Sequence, residues 1–239
     1  KLRRKNHGKN IQYVSICSPN YLHDAHIRLA LRNDCHAICE KPIVLNPWNV
    51  DALREIEEES GQKIYTILQL RHHPSIKKLK KMVDEGPKDK IYNVDLTYFT
   101  SRGRWYFISW KGSIEKSGGV ATNIGVHFFD MLGWIFGKVV DLHVTESKPE
   151  KVSGYLELDR ARVKWQLSLD FNDIPKKIRE TGQRTYRSIK IEGKEIEFSG
   201  GFTDLHTVAY QNILDGKGFG LEDARNSINI VHRIRNTKV

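Results

Sequence analysis

The sequence predicts an α/β plus α+β chain of two unlike parts: half of a doubly wound parallel sheet in residues 1–70, then a mostly antiparallel open sheet in residues 71–239. Two patterns predict it. Before residue 70, short apolar and β-branched runs alternate with helix-length stretches, and right-handed crossovers turn such a β-α-β-α-β run into neighbouring parallel strands. After Pro74 the runs lengthen and alternate apolar with polar residues, as antiparallel strands with one covered face do.

Taken in order, Ile11 to Ser18 is a strand rich in β-branched residues, ended by the Pro19-Asn20 turn. A helix follows from about Tyr21 to Asn33, with Leu22, Ala25, Ile27, Leu29, Ala30 and Leu31 as its packing positions. Cys35 to Cys39 is a short buried strand that ends in Glu40-Lys41 and is stopped by Pro42. The next helix, Pro47 to Ser60, has Asn46 as N-cap, proline in its first turn and Gly61 to close it. Lys63 to Leu68 is the third strand. A basic amphipathic helix from about Ser75 to Glu85 ends at Gly86-Pro87.

Two long strands follow. In Ile91 to Phe99 the apolar face is Tyr92, Val94, Leu96 and Tyr98, and in Arg162 to Phe171 it is Val163, Trp165, Leu167, Leu169 and Phe171. Shorter strands are expected at Val139 to Thr145, Gly154 to Leu158, Ser188 to Glu192 and Glu195 to Phe198, the last pair joined by Gly193-Lys194. Helices from about Thr122 to Phe136, Asp204 to Leu214 and Leu221 to Arg235 complete the chain.

Composition narrows the function. The 239 residues suffice for a real core, and the net charge of +10 raises the question of an anionic partner. The basic residues are spread over Lys1 to Lys9, Lys77 to Lys81, Lys176 to Arg179 and the final helix, which reads as solvated faces; a nucleotide-sized anion fits as well as a polymer. No helix-turn-helix, zinc or RNA-recognition signature accompanies the charge, so no nucleic-acid partner is expected. Cys17, Cys35 and Cys39 are an odd set with no zinc spacing, which points to reduced thiols, a cytoplasmic setting and no metal. No apolar run reaches the ~20 residues of a membrane span, and Lys1 to Asn10 lacks a signal peptide's apolar core; a soluble protein with no membrane partner is expected.

Two stretches carry candidate chemistry. Ligands of open α/β sheets sit at the carboxyl edge of the strands, and the Cys35 to Cys39 strand delivers Lys41 there. A lysine desolvated at such an edge has a lowered pKa and suits proton transfer; the plainer reading is a polar strand end. In Gly118-Gly119-Val120-Ala121-Thr122-Asn123-Ile124-Gly125-Val126-His127-Phe128-Phe129-Asp130, a helix places Asn123 and His127 one turn apart on one face. Asp130 reaches the same side and is expected to orient the imidazole, and Gly118, Gly119 and Gly125 let a backbone or ligand come close. The plainer reading is a buried helix with one satisfied histidine.

A dinucleotide-binding domain opens with a strand, a G-x-G-x-x-G turn and a helix. No such turn is present: Gly8 stands alone in His7-Gly8-Lys9. The expectation is that the protein lacks that half or that the chain in hand starts after it.

Glu40-Lys41-Pro42 at a strand end, followed by a Gly-Gly turn and the helix of His127, resembles the glucose–fructose oxidoreductase / inositol dehydrogenase (Gfo/Idh/MocA) family. That family couples a Rossmann dinucleotide-binding domain to an open-sheet substrate and oligomerisation domain, and oxidises sugar-like alcohols. Many members have aspartate in a D-x-G-x-H pattern where this chain has Asn123-Ile124-Gly125-Val126-His127. The flanks Gln69-Leu70-Arg71-His72-His73, Thr100-Ser101-Arg102-Gly103-Arg104-Trp105-Tyr106, Ser109-Trp110-Lys111-Gly112 and Gly201-Phe202-Thr203-Asp204-Leu205-His206 are similar to its bacterial branch that oxidises C3 of UDP-N-acetylamino sugar uronates for lipopolysaccharide O-antigen synthesis. The likeness runs from about Ile11 to the end.

The resemblance implies an NAD-dependent sugar-nucleotide dehydrogenase, with NADP as the alternative cofactor and a UDP-sugar as substrate. It implies Lys41 and His127 as the catalytic pair and Asn123 as the residue that positions the sugar. Ser18, Pro19, Asn20 and His23 border the cofactor, and Glu40 holds the nicotinamide ribose beside Lys41. Arg71, Arg102, Arg104 and Lys111 are the cations for a carboxylate and a diphosphate, with Thr122, Asn123 and His127 completing the substrate side. Trp105 and Tyr106 stack on a ring or serve packing. A homo-oligomer, dimer or tetramer, is expected through the second sheet face, where Phe99, Ile91 and Tyr155 leave apolar surface among polar groups. A second reading stays open, a non-catalytic nucleotide-sugar-binding or scaffold homologue without the cofactor phosphate site.

Overall fold

The computed structural model of the chain describes residues 11–196 and 203–238. Its first sheet is parallel, with order β1 (Tyr13–Ile16), β2 (His36–Cys39), β3 (Ile64–Thr66). Register sets Val14 against Ala37 and Ala37 against Ile64, so β1 and β2 end level with each other, at Ile16 and Cys39. The crossovers are α1 (His23–Leu31) and α2 (Pro47–Ser60). α1 is preceded by a 3-10 turn at Asn20–Leu22 and is shorter than the spacing suggested, because the chain turns at Asn33 and Asp34, the latter at φ 53°. α2 has Pro47 in the first turn and Gly61 left-handed at φ 66°, as expected, but the Asn46 side chain makes no capping bond and turns to Asn49 and Arg235 instead. Ile27, Leu31, Val50 and Leu53 are fully buried on this side of the sheet. Each buried side chain of this size contributes about 1.5–3 kcal/mol by leaving water.

α3 (Pro74–Glu85) buries Ile76, Leu79 and Val83 at helical spacing and leads into the second sheet. That sheet comprises β4 (Tyr92–Thr100), then, after α4 (Arg104–Ile108), α5 (Ile114–Ser117), a π-helical turn (Ala121–Gly125) and α6 (Val126–Phe136), the strands β5 (Val139–Ser147), β6 (Lys151–Leu158) and β7 (Ala161–Ser168). After α7 (Lys176–Glu180) come β8 (Thr185–Ile191) and β9 (Lys194–Glu195). The order is β5-β6-β7-β4-β8-β9, and only the β4–β7 pairing is parallel. Tyr92, Val94, Leu96 and Tyr98 of β4 and Val163, Trp165 and Leu167 of β7 face α6, where the Phe129 ring meets Trp165 edge-on at 5.3 Å.

Three expectations change. Phe171 leaves the apolar face: β7 stops at Ser168, whose hydroxyl bonds to Asp173, and the Asp170 carboxylate accepts from Asn172 N, which turns the chain and leaves Phe171 42% exposed. β8 begins at Thr185, three residues early. In the other sheet face, Phe99 is buried, and the exposed Ile91 and Tyr155 sit among Asn93, Asp95, Arg162 and Lys164, so the face is more charged than apolar. The end of the expected Glu195 to Phe198 strand lies outside the described residues.

The final helices are α8 (Leu205–Leu214) and α9 (Leu221–Asn236). α8 returns to the parallel sheet, where Ala209 and Ile213 cover Ile38 and Ile67. The first sheet is therefore closed by a helix from the far end of the chain. No helix among the described residues is long and apolar enough to cross a membrane.

Candidate active site

The carboxyl end of β2, the π-helical turn, and the ends of β4 and β8 converge on one cavity of about 430 Å³. β2 delivers Lys41 into it, and the turn at Ala121–Gly125 with the first residues of α6 delivers Asn123 and His127. A widened π-turn is a frequent way to set side chains at a site. Its start is tightly built: Gly118 is left-handed at φ 81°, and a Cβ there would fall 2.6 Å from Thr122.

Lys41 Nζ donates to the Asn123 backbone carbonyl at 2.8 Å. Burial lowers the Lys41 pKa to about 8; Lys111 and Arg102 push the same way, against Glu40. Burial also holds His127 well below the ordinary histidine range, helped by the charges of Lys41, His206 and Arg187. At neutral pH the imidazole is uncharged beside a lysine that titrates close to working pH, a pair suited to moving one proton.

The side chain of Asn123 joins two parts of the chain. Its Nδ2 donates to the Tyr106 hydroxyl at 2.8 Å, and its Oδ1 accepts from Asn20 Nδ2 at 3.3 Å. Asn20 Nδ2 also donates to the Ser117 carbonyl at 2.9 Å. Burial raises the Tyr106 phenol pKa, opposed by the bond from Asn123 and by Arg102. Beside the lysine, the Glu40 carboxylate accepts from His206 Nε2 at 3.1 Å.

Of the four cations named for the substrate, Arg102 and Lys111 line the cavity, and Lys111 lies over the Trp105 ring at 5.2 Å. Four other predicted residues lie outside this arrangement. Arg71 is buried away from the cavity, bonded to Asp130 at 2.7 and 3.0 Å and to Asp223 at 2.9 Å. Asp130 is thereby committed to Arg71 and does not orient His127. Thr122 is fully buried behind the turn, and Arg104 is exposed at the start of α4, outside the cavity wall.

The predicted cofactor border is built more than bordering. Asn20 is buried and spends its amide on Ser117 and Asn123. His23 ties the turn after β1 to the loop after β2, with Nε2 2.8 Å from the Ser18 carbonyl and Nδ1 2.7 Å from that of Pro42, and burial lowers its pKa. The Ser18 hydroxyl pairs with His26 Nδ1 at 2.9 Å, and Pro19 opens the 3-10 turn.

Sequence reading missed Arg187, Tyr98, Gln69 and the His206–Glu40 contact. A signal for Arg187 was present: it shares the inward face of β8 with the buried Ile189 and Ile191, and an arginine in an apolar row calls for a reason. Register then places it opposite Tyr98, with the guanidinium 5.5 Å from the ring centroid. Gln69 Oε1 in the cavity wall is buried with no hydrogen-bond donor among the described residues, an acceptor that a ligand hydroxyl or amide would satisfy. Together with the Glu40 carboxylate and Lys41 at the open carboxyl edge of the parallel strands, it fits the sugar and amide groups of a dinucleotide's nicotinamide end. The described residues contain no cluster that would hold a metal ion.

Two profiles of one protein family match the chain: "Oxidoreductase family, NAD-binding Rossmann fold" over residues 3–68 and "Oxidoreductase family, C-terminal alpha/beta domain" over residues 80–174. Among solved structures, the WlbA (WbpB) dehydrogenase from Thermus thermophilus in complex with NAD and alpha-ketoglutarate is 47% identical, with a TM-score of 0.95 over 100% of this chain and 76% of that one. The same dehydrogenase with NAD and UDP-GlcNAcA gives 46% identity and a TM-score of 0.93 over 98% and 75%. Among curated proteins, the putative oxidoreductase YteT of Bacillus subtilis is 30% identical over 144 residues, 59% of this chain and 32% of its own length. The matched region thus spans about a third of the length of that curated relative.

Proposed function

This chain belongs to the Gfo/Idh/MocA oxidoreductase family, and on that premise we propose that it oxidises the C3 hydroxyl of a UDP-N-acetylamino sugar uronate to the ketone, with NAD as oxidant. The observation that carries the reading is the meeting of Lys41 and His127 in one cavity with the cations Arg102, Lys111 and Arg187. The structures similar to this chain at 46 and 47% identity, crystallised with NAD and with UDP-GlcNAcA, support it.

When bound, NAD supplies the hydride acceptor. This chain's residues do the rest. Lys41 in its neutral form takes the hydroxyl proton, because of the two basic groups it is the one whose pKa, about 8, lies near working pH. His127 stays neutral and hydrogen-bonds the same oxygen, fixing which alcohol faces Lys41. Arg102 and Lys111 meet the uronate carboxylate, and Glu40, held by His206, meets the nicotinamide ribose.

The test is incubation of protein that includes a complete dinucleotide-binding domain with NAD and UDP-GlcNAcA, read by the absorbance of reduced nicotinamide. Substrate deuterated at C3 should show a primary isotope effect and yield the 3-keto sugar. No reduction of NAD, or oxidation at another carbon, removes the assignment.

A further inference from the structure

Donor and acceptor counting around Asn123 fixes the direction of a hydroxyl that the proposed chemistry leaves without a role. The Ser117 carbonyl can only accept, so the Asn20 atom 2.9 Å from it is the amide nitrogen. That same nitrogen lies 3.3 Å from Asn123, so the Asn123 atom facing it is the carbonyl oxygen. The remaining Asn123 atom, 2.8 Å from the Tyr106 hydroxyl, is therefore the Nδ2 donor. Tyr106 receives a hydrogen bond there, and its own proton meets no acceptor among the described residues.

Tyr106 is 2% exposed and lines the same cavity as Lys41 and His127. A buried hydroxyl proton without an acceptor is costly, and a ligand oxygen is the partner that this wall of the cavity faces. The Asn123 backbone carbonyl holds Lys41 Nζ at 2.8 Å while its side chain holds Tyr106, so the hydroxyl lies one residue's span from the lysine. We propose that Tyr106 is a substrate-contacting donor to an acceptor oxygen of the sugar beside the reacting carbon, and that Asn123 is the positioning residue whose amide turns the tyrosine proton toward that oxygen. The substrate half of this rests on the dehydrogenase reading; the donor half does not.

A carboxylate at position 123 reverses the logic. It has no proton to give Tyr106, so the tyrosine hydroxyl donates inward to it and is withdrawn from the ligand. The experiment compares Tyr106→Phe in the native background and in the Asn123→Asp background, with kcat/KM for UDP-GlcNAcA measured above the pH at which Lys41 titrates. Loss of the hydroxyl should cost about tenfold in the native background, the size of one well-made hydrogen bond. In the Asn123→Asp background it should cost less than twofold, because the proton has already turned away. Equal costs in the two backgrounds, or no cost in the native one, overturn the proposal.

A ligand-free arm separates the two readings. The ring-carbon resonance of Tyr106 in protein labelled at tyrosine Cζ, assigned by its loss in Tyr106→Phe, should differ between native protein and Asn123→Asp, since the oxygen changes from accepting to donating. It should move again in native protein on adding UDP-GlcNAcA, and not in Asn123→Asp. If the native protein neither turns over nor binds UDP-GlcNAcA, the dehydrogenase reading falls and takes the substrate contact with it. The ligand-free comparison still decides the donor state, and an unmoved resonance overturns that as well.

Discussion

Lys41 and Asn123, 82 positions apart in the chain, are joined by a 2.8 Å hydrogen bond from the lysine Nζ to the asparagine carbonyl. That bond connects the carboxyl edge of the parallel sheet to the π-helical turn over the mixed sheet, and the proposed chemistry is centred on it. Neither residue is covered by its own element alone: the desolvation that lowers the Lys41 pKa comes where the two sheets meet.

In protein that includes a complete dinucleotide-binding domain, Lys41→Met and His127→Ala should each lower turnover by at least ~10²-fold, the usual scale of a general acid–base contribution. NAD affinity, followed by calorimetry, should change much less. Near-native turnover in both variants would end the assignment of the pair.

The rate should rise with pH through about 8 and level off above it, because Lys41 accepts the proton only in its neutral form. Lys111 is one of the charges that keep the Lys41 pKa down, so Lys111→Met lets it rise and moves the limb to higher pH. A limb that shifts downward, or stays in place, contradicts this electrostatic coupling.

Arg71 and Asp130 are a buried ion pair at 2.7 Å, with side chains 6% and 3% exposed. Arg71→Ala leaves the carboxylate buried without its partner and should cost about 3–5 kcal/mol. Thermal unfolding should register this as roughly 2–4 °C for each kcal/mol. KM for UDP-GlcNAcA should hold near its native value; a large rise in KM with unchanged Tm would return Arg71 to the substrate side.

The outer face of the mixed sheet pairs Asp95 with Lys164 across β4 and β7, and carries Arg162, Glu157 and the half-exposed Tyr155. Mixed charge with a few apolar anchors suits a two-fold contact, in which each patch meets its own copy. Light scattering should give a dimer or tetramer mass, and Tyr155→Glu should shift it toward the monomer; a monomer mass for the native protein at micromolar concentration rules the contact out.

Some of this was legible in the sequence because it is local. Period-two alternation placed Tyr92 to Tyr98 and Val163 to Leu167 on their buried face, and caps at Pro47 and Gly61 set α2. The four-residue spacing of Asn123 and His127 put both on one side of their turn, and the strand end before Pro42 located Lys41. In each case the relevant partner lies within a few residues, where backbone geometry alone fixes direction.

The tertiary structure decided what depends on distant partners. Arg71 and Arg187 are alike as sequence, but Asp130 and Asp223 draw the first into a buried pair, and the β4–β8 register turns the second into the cavity against Tyr98. Asp130 is three residues from His127 and still serves Arg71, because a bidentate guanidinium satisfies a buried carboxylate better than a neutral imidazole does. The Tyr106 proton is the clearest instance: its direction follows from Ser117, Asn20 and Asn123 in sequence of hydrogen bonds, and only the folded chain puts those groups within reach of one another.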